Sequence, residues 1–431
     1  MFKPLPVLQA TFLLVLTSGC ATTTTLDPAR VSRAAQTEHT GPATGSSTPQ
    51  TTGKAPVPSL APGSMSTPAP QVDMAAVEHA PPIQAGSSVA QPGPLLNPDG
   101  TLPPTLRDYA NDVARSRQVP LTHVESLLGT IRFNEQAYRL MSPGKTRLRR
   151  SWVTYRNRFV EPIRIQAGTR FWQENKTALD KAASTYGVPA SILVAIIGVE
   201  TIYGRYTGSF RVLDALATLG FRYPDASRPE RSQLFRDQLA DLIQLDYQGK
   251  LNAREATGSF AGAMGLPQFM PGSLLRYAAD GDNDGRINLL ESTDDAVNSV
   301  ARFLRLHGWV PGLPVFAPAQ LPANPAALVT GGLEPTWSWE ELQAKGVQAA
   351  PDARKGTQNN KTATTYGTPG WTQYKLGVID LVDEPRNLNE YRVATPNFFA
   401  ITHYNRSYFY AASVAELARE LAQRMGQAAP F

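Results

Sequence analysis

The chain of 431 residues contains a single cysteine, Cys20, so no intramolecular disulfide can form. Its five histidines are scattered, and no Cys/His cluster has the spacing of a zinc site. Charge is scarce as well. Charged residues make up 18% and the net charge is +5, an excess too small and too dispersed to argue for nucleic acid. Long apolar runs are missing: Ala10 to Leu16 is too short for a stable spanning helix, and no other segment is long and apolar enough. Between Phe12 and Tyr109 there is no aromatic residue at all. Hydrophobic residues still reach 42%, ample for a sizeable core, and that core has to form beyond the aromatic-free stretch.

The N-terminus explains the lone cysteine. Lys3 gives a basic start, the run to Leu16 is apolar, and Thr17-Ser18-Gly19 supplies small residues up to Cys20. This resembles a bacterial lipoprotein signal over residues 1–19, which implies that Cys20 becomes the lipidated first residue. Thr17 stands where Leu, Val or Ile is usual, and an ordinary secretory signal is the alternative. Residues 20–100 are rich in Thr, Ala, Pro, Ser and Gln and read as a disordered tether, unable to bury enough apolar surface to offset ordering entropy. About 80 flexible residues would span roughly 50 Å root-mean-square.

Order is expected over residues 101–431. Thr105 to Arg117 and Leu121 to Leu128 have helical spacing between proline breakers, and Phe171 to Tyr186 reads as one amphipathic helix. Ile192 to Thr201 is apolar and ends in a carboxylate. Leu193, Ile196, Ile197 and Glu200 fall at i, i+3, i+4 and i+7, with Gly204 as the expected C-cap glycine. A buried Glu200 would hold its proton and serve as a general acid; it could equally mark the exposed end of a core helix. Gly144 to Phe159 is basic and aromatic, suited to a glycan groove or to a solvated helix face. Further helices are expected at Arg231–Tyr247, Trp339–Lys345 and Val414–Met425, and a strand at Lys375–Asp383. Residues 351–372 are polar and read as a mobile insertion. The aromatic stretch from Asn397 to Tyr410 suits a sugar-contacting wall, or a core strand followed by a helix.

The loop from Asp280 to Glu291 is the most specific motif. Asp280, Asp282 and Asp284 occupy positions 1, 3 and 5 of an EF-hand loop, and Gly285 sits at the sharp turn. Arg286 would offer its backbone carbonyl at position 7, and Glu291 its carboxylate at position 12. Helices at Ser273–Ala279 and Asp294–His307 would flank it. Calcium is the metal such hard oxygen donors select.

Several of these stretches occur in a telling order. They are Gly198-Val-Glu200-Thr-Ile-Tyr-Gly204, Leu213 to Leu219, Gly258-Ser-Phe-Ala-Gly-Ala-Met-Gly265 with Gln268-Phe-Met-Pro271, the metal loop, His307-Gly-Trp309, and Pro396-Asn-Phe-Phe399 with Thr402-His-Tyr-Asn405. Together they resemble the membrane-bound lytic murein transglycosylase B family over about residues 102–425. The resemblance implies a mainly α (α+β) fold: a lysozyme-like catalytic core with an EF-hand-like loop, extra helices and a small β-containing C-terminal part. It implies cleavage of the MurNAc–GlcNAc β-1,4 bond of peptidoglycan without water, leaving 1,6-anhydro-MurNAc ends, with Glu200 as acid and then base. Tyr155, Ser259, Gln268, Tyr404, Asn405 and Tyr410 match the family's substrate-binding positions. The family's structural calcium loop runs three residues longer, which implies Asp294 as the closing carboxylate, with Glu291, the one that fits the general pattern, as the alternative. Where the family has a basic pair after Tyr-Pro, Asp225-Ala226 follows Tyr223-Pro224 here, and Arg228 comes only after a shift.

A monomeric enzyme facing the periplasm from the outer membrane is the expectation, since Ala21 is not the Asp that retains lipoproteins at the inner membrane. Cell-wall synthases or divisome proteins are its expected company. The competing readings are a calcium-stabilised peptidoglycan-binding lipoprotein with little turnover and a muramidase that uses water.

Overall fold

The structure is a computed structural model and describes residues 93–144, 149–350 and 370–430. The expected signal, the lipidation site Cys20, the tether up to residue 92 and nearly all of the 351–372 insertion lie outside the described residues.

Seven helices lead up to the carboxylate: α1 (Pro104–Arg117), α2 (Leu121–Leu128), α3 (Glu135–Met141), α4 (Trp152–Phe159), α5 (Pro162–Glu174), α6 (Lys176–Tyr186) and α7 (Ala190–Thr201). After them come α8 (Val212–Phe221), α9 (Pro229–Tyr247), α10 (Pro271–Tyr277), α11 (Thr293–Leu306), α12 (Trp339–Ala344), α13 (Pro396–Thr402) and α14 (Tyr408–Arg424). Proline opens α5, α9, α10 and α13 at the first turn, where its missing N–H would be unpaired anyway. Ser292, Ser338, Thr395 and Ser407 cap α11 to α14 with their side-chain oxygens.

Every residue of α7 is buried. The single apolar face expected from the spacing is therefore too modest a description: α7 is a central rod, covered on all sides, with α14, α5, α6 and α11 packed around it. The expected helix from Phe171 to Tyr186 is two helices. Asn175 departs from helical geometry between them (φ −113°, ψ 25°), and its Nδ2 donates to the Phe171 carbonyl at 2.8 Å, satisfying the end of α5. The aromatic stretch near the C-terminus contains no strand. Asn397 to Thr402 lies in α13, and α14 starts six residues before the expected Val414.

Strands are few. β1 (Phe210–Arg211) pairs antiparallel with β2 (Thr257–Gly258), and β3 (Ala319–Gln320) with β4 (Gln348–Ala349). The longest pair joins β5 (Gly377–Asp383) to β6 (Leu388–Ala394), with Gly377 opposite Ala394 and Asp383 opposite Leu388. Alternation along β5 serves two cores. Ile379 and Leu381 join the main helical core, whereas Val378 joins a smaller cluster with Leu376, Val393, Trp339 and Leu342. A buried ion cluster ties this hairpin to the helices: Glu416 of α14, 2% exposed, receives Arg392 of β6 and Arg419 at 2.6 Å each and Arg156 of α4 at 3.4 Å.

Candidate active site

Glu200 lies in the last turn of α7 and is 8% exposed. Tyr410, in the first turn of α14, donates its phenol O–H to Glu200 Oε1 at 2.5 Å. Ser407 positions that turn, its hydroxyl accepting the Tyr410 N–H at 3.3 Å. The ring of Tyr404 lies parallel to that of Tyr410, with centroids 6.3 Å apart. Its hydroxyl donates to the carbonyl of Pro267, next to Gln268. Burial, and then the negative charge of Glu200, pushes both phenols well above the ordinary tyrosine range, so both stay protonated donors at neutral pH. Tyr155 of α4 is half-buried and packs its ring on Phe159 and Phe409.

The Gly-rich loop reaches the same region, where its Pro267 carbonyl meets Tyr404 and its Leu266 carbonyl meets Thr201. Ser259 is buried and closes the loop on itself: its N–H donates to Ala263 O at 2.8 Å, and its Oγ accepts Ala263 N–H at 3.1 Å. Gly258 follows from packing, because a Cβ there would run into the Ala263 carbonyl. Gln268 adopts a left-handed backbone (φ 49°). Its Nε2 donates to Thr207 O at 3.2 Å and Gly265 O at 3.0 Å, which leaves Oε1 buried with no partner. Asn405 is 2% exposed, and neither its Oδ1 nor its Nδ2 has a partner. Buried polar atoms left unmatched carry a penalty of about 1–3 kcal/mol each, so Gln268 and Asn405 would gain from a ligand that supplies the missing hydrogen bonds. Arg228 sits apart from this group at the entry to α9, half-exposed and paired with Glu230 at 2.9 Å.

The turn after Glu200 was not foreseen. The expected C-cap glycine, Gly204, is left-handed (φ 87°), but so are the two residues before it, Ile202 (φ 49°) and Tyr203 (φ 59°). A left-handed backbone costs a residue with a Cβ roughly 1–2 kcal/mol, and β-branched Ile is among the least suited. Thr201 braces the turn: its fully buried hydroxyl lies 3.1 Å from Leu266 O and accepts the Gly204 N–H at 3.0 Å.

The other buried carboxylates among the described residues have structural partners. Asp214 meets Arg211 and the Arg132 N–H, Asp241 meets Arg117 and Arg276, Asp295 accepts the Gly281 and Asn288 N–H groups, Asp383 meets Arg386 and Ser151, and Glu416 its three arginines. None of these is left over to act beside Glu200.

In the metal loop, Asp280, Asp282 and Asp284 each bring a carboxylate oxygen within 4.8 Å of the others. Asn283 (φ 64°) and Gly285 (φ 86°) turn the chain around them, and Asp280 accepts the Asn283 and Gly285 N–H groups at 2.6 and 2.9 Å. This clustered oxygen donor set fits a hard divalent cation. Arg286 follows in the loop with its N–H on Asp284. Glu291 and Asp294 are not part of the three-carboxylate group; Glu291 accepts from Asn288 Nδ2 at 3.0 Å, and Asp294 lies in the first turn of α11. Asp295, outside the EF-hand pattern, belongs to the loop as well. It is 1% exposed and draws the loop together, accepting Gly281 N–H and Asn288 N–H at 2.7 Å each. Ser292, three residues earlier and capping α11, was the available signal.

Comparison with known proteins decides the family. Residues 103–419 match the family described as "Transglycosylase SLT domain". The chain belongs to this family. Within it, the chain is 37% identical over 274 residues to membrane-bound lytic murein transglycosylase B of Escherichia coli (strain K12), spanning 63% of this chain and 68% of that one. Its fold matches the crystal structure of soluble lytic transglycosylase SltB1 from Pseudomonas aeruginosa, with 37% identity and a TM-score of 0.63 over 75% of this chain and 100% of that one. It also matches the Escherichia coli lytic transglycosylase Slt35 in complex with calcium, with 31% identity and a TM-score of 0.60 over 75% and 94% of the two chains. The mainly helical transglycosylase fold expected from the motifs is the one observed.

Proposed function

We propose that this transglycosylase SLT family member is a peptidoglycan lytic transglycosylase in which Glu200 is the one catalytic carboxylate. The observation that carries the mechanism is a buried Glu200 held by a neutral phenol, with every other buried carboxylate engaged elsewhere. Ordinary retaining and inverting glycosidases need two free carboxylates. One carboxyl suffices when its two duties come in sequence. Protonated Glu200 gives its proton to the β-1,4 glycosidic oxygen as that bond breaks. The resulting carboxylate then accepts the proton of the MurNAc 6-hydroxyl while that oxygen closes on C1, giving a 1,6-anhydro end and restoring the acid. Atoms balance without water. The 2-acetamido group of the substrate stands in for a protein nucleophile.

The Tyr410 hydroxyl orients Glu200 in both states, since a phenol donates to either carboxyl form. Gln268 Oε1 and the amide of Asn405 would find their missing partners in sugar hydroxyl and acetamido groups. Tyr155 and Tyr404 would pack against sugar faces, Ser259 would hold the loop that faces the reacting ring, and Arg228 would meet the glycan or its peptide farther out. Asp280, Asp282, Asp284 and the Arg286 carbonyl would hold a structural calcium, closed by Asp294 or Glu291. Lipidation at Cys20 and the tether beyond it would keep the enzyme at the outer membrane, facing the periplasm, within reach of glycan strands and of cell-wall synthases or divisome proteins. The name of the Escherichia coli relative, a membrane-bound enzyme, supports a membrane-associated one here.

Glu200→Gln tests the assignment. Loss of the acid should lower release of soluble fragments from purified sacculi by about 100-fold or more, while sacculus binding persists. Release at the parent rate would remove Glu200 from the mechanism.

A further inference from the structure

We propose that Tyr203 and Ile202 are positioning residues for Glu200, forming a strained latch that fixes the end of α7 through a ring wedged between two helices. The inference rests on the function proposed for Glu200 and adds residues that the resemblance did not assign.

The geometry has three parts. First, Ile202 and Tyr203 are consecutive left-handed residues directly after the Glu200-Thr201 pair. A helix needing only to stop would place glycine at the first of these positions, and this chain has its glycine two residues late, at Gly204. Second, the Tyr203 ring fills a notch built from two glycines, Gly168 of α5 and Gly198 of α7. A Cβ at either glycine would fall within 3.0 Å of the Tyr203 hydroxyl oxygen. Phe171 of α5 covers the ring, with centroids 5.3 Å apart. Third, the Tyr203 hydroxyl is buried and has no hydrogen-bond partner. The ring is therefore present for its volume and direction, because nothing receives its polar tip.

The carbonyl of Gly198 is gripped at the same place. It accepts the Arg164 Nε–H at 2.9 Å and the Ile202 N–H at 3.2 Å. Apart from the ties of Glu200 to Tyr410 and of Thr201 to Leu266 O in its last turn, the rest of α7 is held by apolar packing, which has no directional preference. A rotation about the α7 axis would swing the Glu200 carboxylate away from Tyr410. The wedge blocks this motion: the ring travels with α7 through the short turn, so turning or sliding the helix drives the phenol into Gly168 and Phe171 of α5. A carboxyl that must act first as acid and then as base has to keep one position through both steps, so a latch of this kind acts on turnover more than on binding. Backbone strain held beside a reacting group is the recurrent mark of such a device.

The test compares Tyr203→Phe, Tyr203→Ala and Ile202→Gly in the full chain. It measures kcat and KM for fragment release from soluble glycan strands, together with the melting temperature of each variant. Tyr203→Phe keeps the wedge and should hold kcat within about twofold, with an equal or higher melting temperature. Tyr203→Ala empties the notch and should lower kcat by about 10- to 100-fold with KM within about twofold. Ile202→Gly relaxes the turn and should lower kcat severalfold without lowering the melting temperature, a separation that a merely structural role would not produce. Parent-like kcat in Ile202→Gly overturns the proposal, and so does a Tyr203→Phe loss as deep as that of Tyr203→Ala. If Tyr203→Ala is unfolded at the assay temperature, the Ile202→Gly and Tyr203→Phe results decide alone. Glu200→Gln run alongside separates the two failures: its activity would overturn the function itself, whereas its inactivity with an active Ile202→Gly overturns only the latch.

Discussion

Tyr410→Phe removes one hydroxyl and little else. The side chain is fully buried, its ring is held by stacking on Tyr404, and its O–H donates to Glu200 Oε1 at 2.5 Å. A hydrogen bond to a charged group contributes about 1.5–3 kcal/mol. That contribution favours the ionised carboxyl more than the protonated one, so deleting the donor lets Glu200 hold its proton to higher pH. At about 1.36 kcal/mol per pH unit, the alkaline limb of the kcat/KM profile should move upward by roughly 1–2 units. The first step needs the protonated acid, which fixes the direction of the shift. The plateau should fall about tenfold as well, because a less oriented and weaker acid meets the glycosidic oxygen. Release of soluble fragments from labelled sacculi, followed across the pH range in which both proteins stay folded, reads both effects. A limb that stays in place or moves to lower pH would refute the role given to Tyr410.

Two further outcomes follow from the structure. His307 is stacked on Phe303, lies near His403 and Arg276, and is lowered from 6.5 to about 4, chiefly by burial, with the nearby positive charges adding to it. The unfolded chain therefore binds the proton first, and stability should fall as pH drops from 6.5 toward 4, by at most about 3 kcal/mol; urea titrations at several pH values should show this slope, and His307→Phe should flatten it. Calcium at a hundredfold excess over its Kd should stabilise the fold by about 2.7 kcal/mol, seen as a rise in melting temperature that a chelator or Asp282→Asn abolishes, with the chemical nature of the product unchanged.

What could be read in advance follows a physical divide. α2 has its expected bounds because Pro120 and Gly129 punctuate a clean apolar pattern. The clustering of Asp280, Asp282 and Asp284 was legible because alternating acidic residues ahead of a glycine follow the spacing of an EF-hand loop. The break at Asn175 was not, since one polar residue inside an amphipathic pattern carries no mark of its backbone angles. Nor was β6, whose charged and half-exposed residues resemble a loop until β5 supplies the partner. At the site, Glu200 was legible as a pattern violation in an apolar run, a carboxylate that the fold buries. Tyr410 as its donor was not, because the pairing spans 210 residues and only the packing of α14 on α7 creates it. The left-handed pair at Ile202 and Tyr203 was masked by Gly204, which offered the pattern a more ordinary stop.

Cleavage of the glycan by one carboxylate without water would leave its mark on the product. Mass spectrometry of the fragments released from purified sacculi tests it most directly. The expected products carry 1,6-anhydro-MurNAc ends, each lighter than the hydrolytic product by one water. Reducing MurNAc ends as the main product would contradict it, since they require an activated water at the position here reserved for the 6-hydroxyl.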